Sequence, residues 1–389
     1  MRIGVLINSV EIFGGIGKIS IEEVKNLRKL GVDAELLVFS DWGEENRYSE
    51  IAGDIPIVRL AERLPKYLRV NRKVPFFTVW NFCHLLYPLY LPGYVKEGEW
   101  DLIINHESYL TFFLLRLKKK KIRYIQFIWD PISYIVKRVY TKGVLGAFNK
   151  LLYGIGLRLD SLFIRNSEMV LLGGDAHEEF VRNTGKDYRI LYPSVYPQAA
   201  INPDKEEFVF MMTAWKQGKN PEYILDLLDK MPELRIKMGG IWLDKEYEKS
   251  FREMVESRGM EDRLEVLGSI SEKDLNGYLS RARLILQTND DRGFGMPALE
   301  GAACGCSFII PEGQGVCNLF ESGKEGFFTK ERDTEKIIKL LGKFLSDKGF
   351  AAEMGRAAWE KVKGSYSWEI HAKEIVELAN GLMENEIET

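Results

Sequence analysis

One strand–glycine–helix segment in the second half of the chain restricts the fold more than any other stretch. Leu284–Leu286 is an apolar run typical of a buried strand, and Gly293 and Gly295 follow it. Pro297 then suits the first turn of a helix, where the N–H that proline lacks is not needed. A second apolar run begins at Phe308. The segment therefore predicts a strand, a glycine loop, a short helix and another strand.

A loop of this kind can bind an anion. Glycines let the backbone approach a ligand closely, and the free N–H groups and positive end of a helix dipole favour a phosphate. Glu300 lies about one turn inside the predicted helix, where its carboxylate can reach ribose hydroxyls. Taken alone, the glycines fit an ordinary turn between a strand and a helix equally well.

The beginning of the chain repeats this pattern. An apolar strand over residues 3–8 is followed by Gly14, Gly15 and Gly17, and then by a helical stripe that runs from Ile19 to Leu30. Strand, glycine turn, helix and strand in this order start a doubly wound sheet. The dinucleotide spacing Gly-x-Gly-x-x-Gly is absent.

Strand and helix patterns alternate along the rest of the chain, which predicts the α/β class with two doubly wound sheets. The length of 389 residues suits two or three domains, and the 46% hydrophobic content is enough for sizeable cores. A proline-containing link places a domain boundary near residue 197, and a last amphipathic helix begins at Tyr366.

These glycine loops, with the Tyr-Pro-x-Val link that starts at Tyr192, resemble the retaining glycosyltransferases of family 4. The resemblance covers nearly the whole chain and is strongest from about residue 205 to 370. It implies the GT-B fold, in which two Rossmann-like doubly wound domains enclose a cleft. It also implies an enzyme that moves a sugar from a nucleotide-sugar donor to an acceptor hydroxyl with retained anomeric configuration.

The resemblance assigns a role to each half of the chain. Residues 1–197 would be the acceptor-binding domain, with the helix at 366–389 crossing back to it. Residues 198–365 would be the nucleotide-sugar-binding domain. A lipid-linked molecule or a polysaccharide would suit as the acceptor.

The donor site follows from the family's motifs. In the family, the second Glu of a Glu-x7-Glu segment binds the ribose, and Glu300 takes that position. Lys219 matches the lysine that binds the diphosphate, whereas Ala214 stands where an arginine is usual, so Lys216 is the expected substitute. The expected donor-binding residues are Gly14, Gly15, Gly17, Lys216, Lys219, Gly293, Phe294, Gly295, Met296 and Glu300. No metal and no further cofactor is expected.

The sequence departs from the family near the transferred sugar. Arg292 replaces the first Glu of the motif, and Trp129 replaces a His at a strand end. The expected catalytic residues are Arg292 with His106 and Asp130, because His106 and Asp130 end two strands and the carboxyl ends of parallel strands carry the site. Two explanations remain: an active transferase with an altered sugar site, or a noncatalytic relative that binds a nucleotide or a protein partner.

Arg292 has two interpretations of its own. A guanidinium cannot accept hydrogen bonds from sugar hydroxyls, but it suits a carboxylate or a phosphate bound through two hydrogen bonds. The donor or the acceptor would then carry an acidic group. The alternative is that Arg292 faces solvent or pairs with the neighbouring Asp290 or Asp291.

The charge distribution is uneven. Residues 51–150 carry 17 basic and 7 acidic side chains, although the whole chain has a net charge of −3, which excludes a general affinity for nucleic acid. Basic side chains flank an aromatic run within residues 62–95, and residues 118–123 are also basic. This pattern predicts peripheral binding to a membrane surface; a core helix packed on the sheet is the alternative. An opening strand rather than a signal peptide predicts a cytoplasmic protein, placed at the inner face of the membrane if it binds there.

Overall fold

The computed structural model describes most of the chain as two separate units. The described residues are 1–10, 15–39, 49–69, 86–129, 131–139, 148–174, 177–216, 219–288, 293–330 and 332–384. The first unit comprises Met1–Pro193 and the segment from Trp368 onwards, and the second unit comprises Ser194–Ser367. The boundary predicted near residue 197 lies four residues after Pro193.

The first unit contains a parallel sheet with the strand order β3-β2-β1-β4-β5-β6-β7. Ile3 pairs with Ala34 on one side and with Leu102 on the other, so the first strand lies in the middle of the sheet. Its described strands are β1 (Arg2–Ile7), β2 (Asp33–Val38), β3 (Ile57–Arg59), β4 (Leu102–Asn105), β5 (Arg123–Ile128), β6 (Val170–Leu172) and β7 (Tyr188–Ile190).

The second unit contains a parallel sheet with the order β10-β9-β8-β11-β12-β13. Both orders are doubly wound, because the chain starts in the middle of the sheet and builds outwards in both directions. The described strands are β8 (Val209–Met212), β9 (Ile236–Gly239), β10 (Leu264–Gly268), β11 (Leu284–Leu286), β12 (Ser307–Pro311) and β13 (Phe327–Thr329). Two Rossmann-like sheets were predicted, and this prediction is confirmed.

Helices connect the strands and cover both sheets. Those of the first unit up to its last strand are α1 (Gly15–Lys29), α2 (Ser49–Ala52), α3 (Tyr87–Tyr90), α4 (Thr111–Leu117), α5 (Ile132–Val139), α6 (Asn149–Asn166) and α7 (Glu178–Arg182). Those of the second unit are α8 (Glu222–Lys230), α9 (Lys245–Ser257), α10 (Glu272–Arg281), α11 (Met296–Ala303), α12 (Thr334–Ser346) and α13 (Lys348–Ser365), after which α14 (Trp368–Glu384) returns to the first unit.

Local sequence signals explain several helix ends. The side chain of Ser271 accepts a hydrogen bond from the backbone N–H of Asp274 at 3.2 Å, so it caps α10. Pro297 occupies the first turn of α11, which is as predicted. Gly31 has a φ of +82° just after α1, a conformation that a side chain would disfavour.

The hydrophobic cores explain why the central strands, such as β1, β4, β8 and β11, are apolar on both faces. Parallel sheets are covered on both sides, so their strands are continuous apolar runs rather than alternating ones. In α14, Ile375 and Leu378 pack with α1 and the first sheet, as the helical stripe predicts. The last helix therefore completes a core that begins with the first strand.

The basic, aromatic segment at 62–95 is described only in part, because Phe76, Phe77, Trp80 and Phe82 lie outside the described residues. Within the described portion, Tyr87 and Leu91 are buried in the core beside β4 and α4. None of the helices in the described ranges is long and apolar enough to span a membrane.

Two helical glycines of the second unit make a matched pair for testing the packing. A Cβ on Gly355 in α13 would lie 2.3 Å from the backbone oxygen of Gly305, whereas a Cβ on Gly342 in α12 would meet nothing within 4 Å. We expect Gly355→Ala to destabilise this unit by about 1–3 kcal/mol, because backbone must move. Gly342→Ala should stabilise it by up to about 1 kcal/mol. Urea unfolding of both variants measures the difference, and equal effects would contradict this packing.

Candidate functional site

The predicted donor-binding residues of the second unit follow two neighbouring strands. β8 and β11 pair with each other, and the chain order reverses between them. Ligands of open α/β sheets bind at such a switch point, beyond the carboxyl ends of the strands. The turn after β8 carries Lys216 and Lys219, and the loop after β11 carries Gly293 and Gly295. The fold therefore brings these two segments to the same edge of the sheet.

Residues 314–316 contact one side of the glycine loop after β11 and hold it in place. Gly295 is the residue before α11 and has a φ of +91°; a Cβ there would lie 2.5 Å from Oε1 of Gln314. Val316 donates a backbone hydrogen bond to the carbonyl of Phe294 at 2.7 Å, and Gly315 donates one to Gly293 at 3.3 Å. Glycine is required at 295 both by its conformation and by the close approach of the Gln314 side chain.

Helix α11 presents Glu300 from its second turn. Its neighbours Ala298 and Leu299 are fully buried, whereas Glu300 and Met296 are half-buried. The orientation of α11 is therefore set by its apolar neighbours, and Glu300 as a residue is partly exposed. Further along, the pKa of the Cys304 thiol is raised to about 12, chiefly by burial and to a smaller extent by the neighbouring Cys306 and Glu300. The thiols of Cys304 and Cys306 are both buried.

The two lysines lie on a turn that a tryptophan fixes. Trp215 is buried, and its indole Nε1–H donates to the carbonyl of Gly239 at 2.8 Å. Its ring also stacks on Trp242 with centroids 5.8 Å apart. Lys216 is exposed, and the N–H of Lys219 donates to its carbonyl at 3.0 Å. Sequence reasoning missed this anchor, although a tryptophan between Ala214 and Lys216 was the signal for it.

Three buried oxygen atoms near this edge have no hydrogen-bond partner among the described part of the chain. They are Oε1 of Gln287 and Oγ1 of Thr288, just after β11, and Oε1 of Gln314, which faces Gly295. Buried polar atoms normally have partners, so each needs a reason. All three can accept a hydrogen bond from a ligand hydroxyl. The sequence analysis did not identify any of them.

The first unit has its own switch point between β1 and β4. The sequence suggested that Gly15 and Gly17 lie in a loop before α1. In the structure they lie in the first turn of α1 itself. The first backbone N–H groups of a helix have no partner within the helix, so this turn can still offer donors. Gly14, Asp130 and Arg292 lie outside the described residues, and their predicted roles remain predictions.

His106 follows β4 and belongs to a buried cluster. Its Nε2 lies 2.8 Å from Oε2 of Glu23 in α1, and the other oxygen of Glu23 lies 3.0 Å from Nε2 of His371 in α14. Nδ1 of His371 lies 2.9 Å from the backbone oxygen of Tyr192. Trp129 donates its indole N–H to Nδ1 of His106 at 3.1 Å. Glu23 is completely buried, and each histidine is 2% exposed.

Hydrogen-bond donors and acceptors fix the protonation of this cluster. Since the indole of Trp129 can only donate, Nδ1 of His106 accepts, and its Nε2–H donates to Glu23. Both ring nitrogens of His371 face oxygen atoms, one of the Glu23 carboxylate and one of the Tyr192 backbone carbonyl. Neither nitrogen of His106 is free to act on a substrate in this arrangement.

The Glu23 carboxylate stays ionised despite its burial. Burial alone would raise the pKa of Glu23, but its ion pairs and hydrogen bonds with His106 and His371 outweigh this and lower it to about 2. A carboxylate with a depressed pKa stabilises the folded state above the pKa of the unfolded chain, and this stabilisation is lost as the pH falls towards the folded value.

This cluster predicts a specific pH dependence. Between about pH 4.5 and pH 2, wild-type protein should lose roughly 3 kcal/mol of unfolding free energy through Glu23, because the shift is from 4.5 to about 2. Glu23→Gln keeps the side-chain shape and can still accept from His106, but it removes this titration. We expect the stability difference between wild type and variant to shrink as the pH falls from 6 to 3 in urea unfolding.

The exposed acid Glu377, also on α14, provides the control. Glu377→Gln should run parallel to wild type across this pH range. A stability difference between wild type and Glu23→Gln that is independent of pH would contradict an ionised, paired Glu23.

The fold and the site together define a class of protein. Two doubly wound parallel sheets, one of which places a glycine loop, a helix N-terminus and two lysines at its switch point, are typical of proteins that bind a phosphorylated ligand. The chain has the GT-B fold. Residues 196–361 match the family described as Glycosyl transferases group 1.

Solved structures share this architecture over the whole chain. Anabaena HepE, solved in complex with UDP and glucose, is 18% identical with a TM-score of 0.74, covering 98% of this chain and 99% of HepE. Sucrose-phosphate synthase from Thermosynechococcus elongatus is 16% identical with a TM-score of 0.75, covering 99% of each chain. At such identities the similarity establishes the fold alone.

Similarity to curated sequences is mostly partial. Sucrose synthase of Melioribacter roseus is 23% identical over 46% of this chain and 25% of its own length. The chain spans between a quarter and about half of the length of this relative and of two others. Trehalose synthase of Thermococcus litoralis is 21% identical over 96% of this chain and 89% of its own length. These findings show the GT-B fold for the chain and a similarity of residues 196–361 to group 1 glycosyltransferases.

Proposed function

We propose that this protein is a glycosyltransferase that transfers a sugar from a nucleotide sugar to an acceptor hydroxyl. The observation that carries the proposal is the glycine loop before α11, at the switch point of the second sheet, inside the region that matches the group 1 family. The N-terminus of α11 and its backbone N–H groups favour the negative charge of a diphosphate.

The donor is oriented by residues at both ends of the diphosphate. Glu300 accepts hydrogen bonds from the ribose hydroxyls, since its carboxylate is half-buried on α11. Lys219, with Lys216, places positive charge on the diphosphate from the turn after β8. The bond between the sugar C1 and the diphosphate oxygen breaks with its electron pair on the diphosphate, and these groups stabilise that charge. The acceptor oxygen forms the new bond to C1 and loses its proton.

The donor carries a uridine diphosphate in this proposal. The support is the set of HepE structures, which are described as complexes with UDP, with UDP and glucose, and with UDP-glucose. We further propose retention of the anomeric configuration, as in the family that the sequence resembles. A lipid-linked molecule or a polysaccharide is the proposed class of acceptor, and the inner face of the membrane is the proposed location. The proposal involves neither a metal nor a further cofactor.

The sugar site takes its hydrogen-bond acceptors from side chains other than residue 292. Arg292 cannot accept from sugar hydroxyls, but Gln287, Thr288 and Gln314 each hold a buried oxygen without a partner among the described residues near the loop. These oxygens replace the missing carboxylate, and Arg292 pairs with an acidic group on the donor or the acceptor. The protein thereby selects a different donor from the one that it would bind if residue 292 were a Glu.

A noncatalytic nucleotide-binding protein is the second candidate. The observation that favours it lies in the first unit, where Trp129 occupies the position of the expected His and both nitrogens of His106 are engaged. Such a protein would bind UDP and its sugars without turnover. Measuring release of UDP from a panel of UDP-hexoses and UDP-uronic acids, with and without simple alcohol acceptors, separates the two functions.

Glu300→Ala tests the ribose contact. Loss of a charged hydrogen-bonding group costs about 1.5–3 kcal/mol, so we expect affinity for UDP in calorimetry to fall about 10- to 100-fold. UDP release from the best donor should fall at least as much. Glu253→Ala, an exposed acid on α9, is the matched control and should leave both unchanged. Unchanged UDP affinity in Glu300→Ala, with an unchanged unfolding temperature, would remove the assignment.

Lys219→Ala tests the diphosphate contact. A lysine that meets phosphate contributes to binding of UDP but not to binding of uridine, so only the UDP affinity should fall, by about tenfold for one charge-assisted contact. Lys216→Ala should have a smaller effect, because Lys216 is the more exposed of the two. An equal loss for uridine and UDP in Lys219→Ala would show that Lys219 supports the turn rather than the ligand.

A further inference from the structure

Helix α6 presents an unusual face to solvent. Leu151, Ile155, Arg158, Leu162 and Arg165 recur at intervals of four, three, four and three residues, so they form one stripe along the helix. Leu151 is 62% exposed, Ile155 46% and Leu162 44%. Scattered exposed leucines are ordinary on a protein surface. Here the exposed apolar side chains form a continuous row in which the other members are arginines.

The opposite face of α6 fixes the helix in this orientation. Asp160 is buried, and its two oxygens accept hydrogen bonds from the backbone N–H groups of Ile132 and Ser133 at 2.8 Å each. A Cβ on Gly156 would lie 2.8 Å from Cα of Ser133 in α5, so the backbones of α5 and α6 are in close contact at this point. Rotation of α6 to bury the stripe would break both arrangements. The exposed stripe is therefore part of the stable fold.

The neighbouring helix α4 adds one aromatic and one basic side chain to this exposed face. The rings of Phe112 and Phe163 meet edge to face at 5.0 Å, so Phe112 lies beside α6, and it is 43% exposed. Arg116 lies one turn further along α4 and is also exposed. We call this region the α6 surface. It comprises Phe112, Arg116, Phe148, Leu151, Ile155, Arg158, Leu162 and Arg165.

The α6 surface contains five apolar side chains, three arginines and no acid. Residues 102–166 as a whole hold 12 basic and 3 acidic residues. Of the three acids, Asp160 is buried under α6 and Asp130 lies outside the described residues. The positive charge is therefore not neutralised by neighbouring acids on α6 itself.

We propose that the α6 surface docks on an anionic lipid membrane. A helix that lies in the membrane interface buries its apolar side chains at the boundary of the acyl chains and keeps basic groups among the headgroups. Arginine suits this arrangement, because its stem packs on apolar surface while its guanidinium binds phosphate. A second copy of the chain is a poorer occupant, because a symmetric contact would bring together two surfaces of the same positive charge.

This inference does not rest on the proposed transferase activity. It also differs from the sequence-based expectation, which placed membrane contact at residues 62–95 and 118–123. In the structure, Tyr87 and Leu91 of the first of these segments are core residues, and Lys118 pairs with Glu168 at 3.3 Å. Helix α6 lies wholly within the described residues, whereas Phe76, Phe77, Trp80 and Phe82 lie outside them.

Cosedimentation with lipid vesicles tests the proposal on the full chain. We expect binding to vesicles of phosphatidylcholine with 30% phosphatidylglycerol at low salt, weaker binding as salt is raised, and little binding to phosphatidylcholine alone. Absence of binding to the anionic vesicles at low salt would overturn the proposal. Equal binding to both kinds of vesicle would show that anionic headgroups do not contribute, and would overturn the proposal that the arginines bind them.

Two double variants separate the charged and apolar contributions. Arg158→Gln with Arg165→Gln keeps the apolar row and should weaken the partition about 25-fold, because each basic side chain contributes about fivefold at an anionic surface. Ile155→Gln with Leu162→Gln keeps the charge and should weaken it about tenfold or more. All four positions are exposed, so unfolding temperatures should not change.

Matched substitutions in the second unit complete the design. Leu243 is 58% exposed, and Lys273 and Lys339 are exposed on α10 and α12. Leu243→Gln and Lys273→Gln with Lys339→Gln should leave vesicle binding unchanged. Losses in these controls equal to those of the α6 variants would overturn the assignment of the surface. A dimer in light scattering that Ile155→Gln with Leu162→Gln abolishes would identify a second copy as the occupant instead.

Discussion

A single buried carboxylate organises the first unit. Glu23 projects from α1 into the core, where its charge is tolerable only because two histidines supply hydrogen bonds from opposite sides. One is His106, just after β4, and the other is His371 in α14, which lies 348 residues after Glu23 in the chain. The first helix, the sheet and the last helix must therefore come together for any one of them to be stable. The indole of Trp129 extends this dependence to β5.

The two switch points differ in whether their polar side-chain atoms already have hydrogen-bond partners. In the second unit, the glycine loop before α11 and the lysines after β8 border buried oxygens that have no partner among the described residues. In the first unit, the corresponding histidine has a partner for each ring nitrogen. The switch point of the second unit therefore holds hydrogen-bond acceptors that are available to a ligand, whereas the ring nitrogens of His106 at the first are already engaged.

Local chemistry made much of the fold predictable. The cap at Ser271, the proline in the first turn of α11 and the strand–glycine–helix order depend on a few adjacent residues, so the sequence displays them directly. The cluster around Glu23 was hidden, because its partners are distant in sequence and a lone histidine gives no sign of its acceptor. The α6 stripe was visible as a spacing, but only burial of Asp160 and Gly156 shows which face of that helix is outside.

The return of α14 to the first unit has a consequence for biosynthesis. During translation, residues 194–367 leave the ribosome before His371, so the second sheet has all of its strands while Glu23 still lacks one of its two histidines. Until α14 emerges, Glu23 has one of its two histidine partners, and the core that Ile375 and Leu378 complete stays open. A chain truncated before α14 would therefore keep an incomplete first core beside a second unit that has all of its strands.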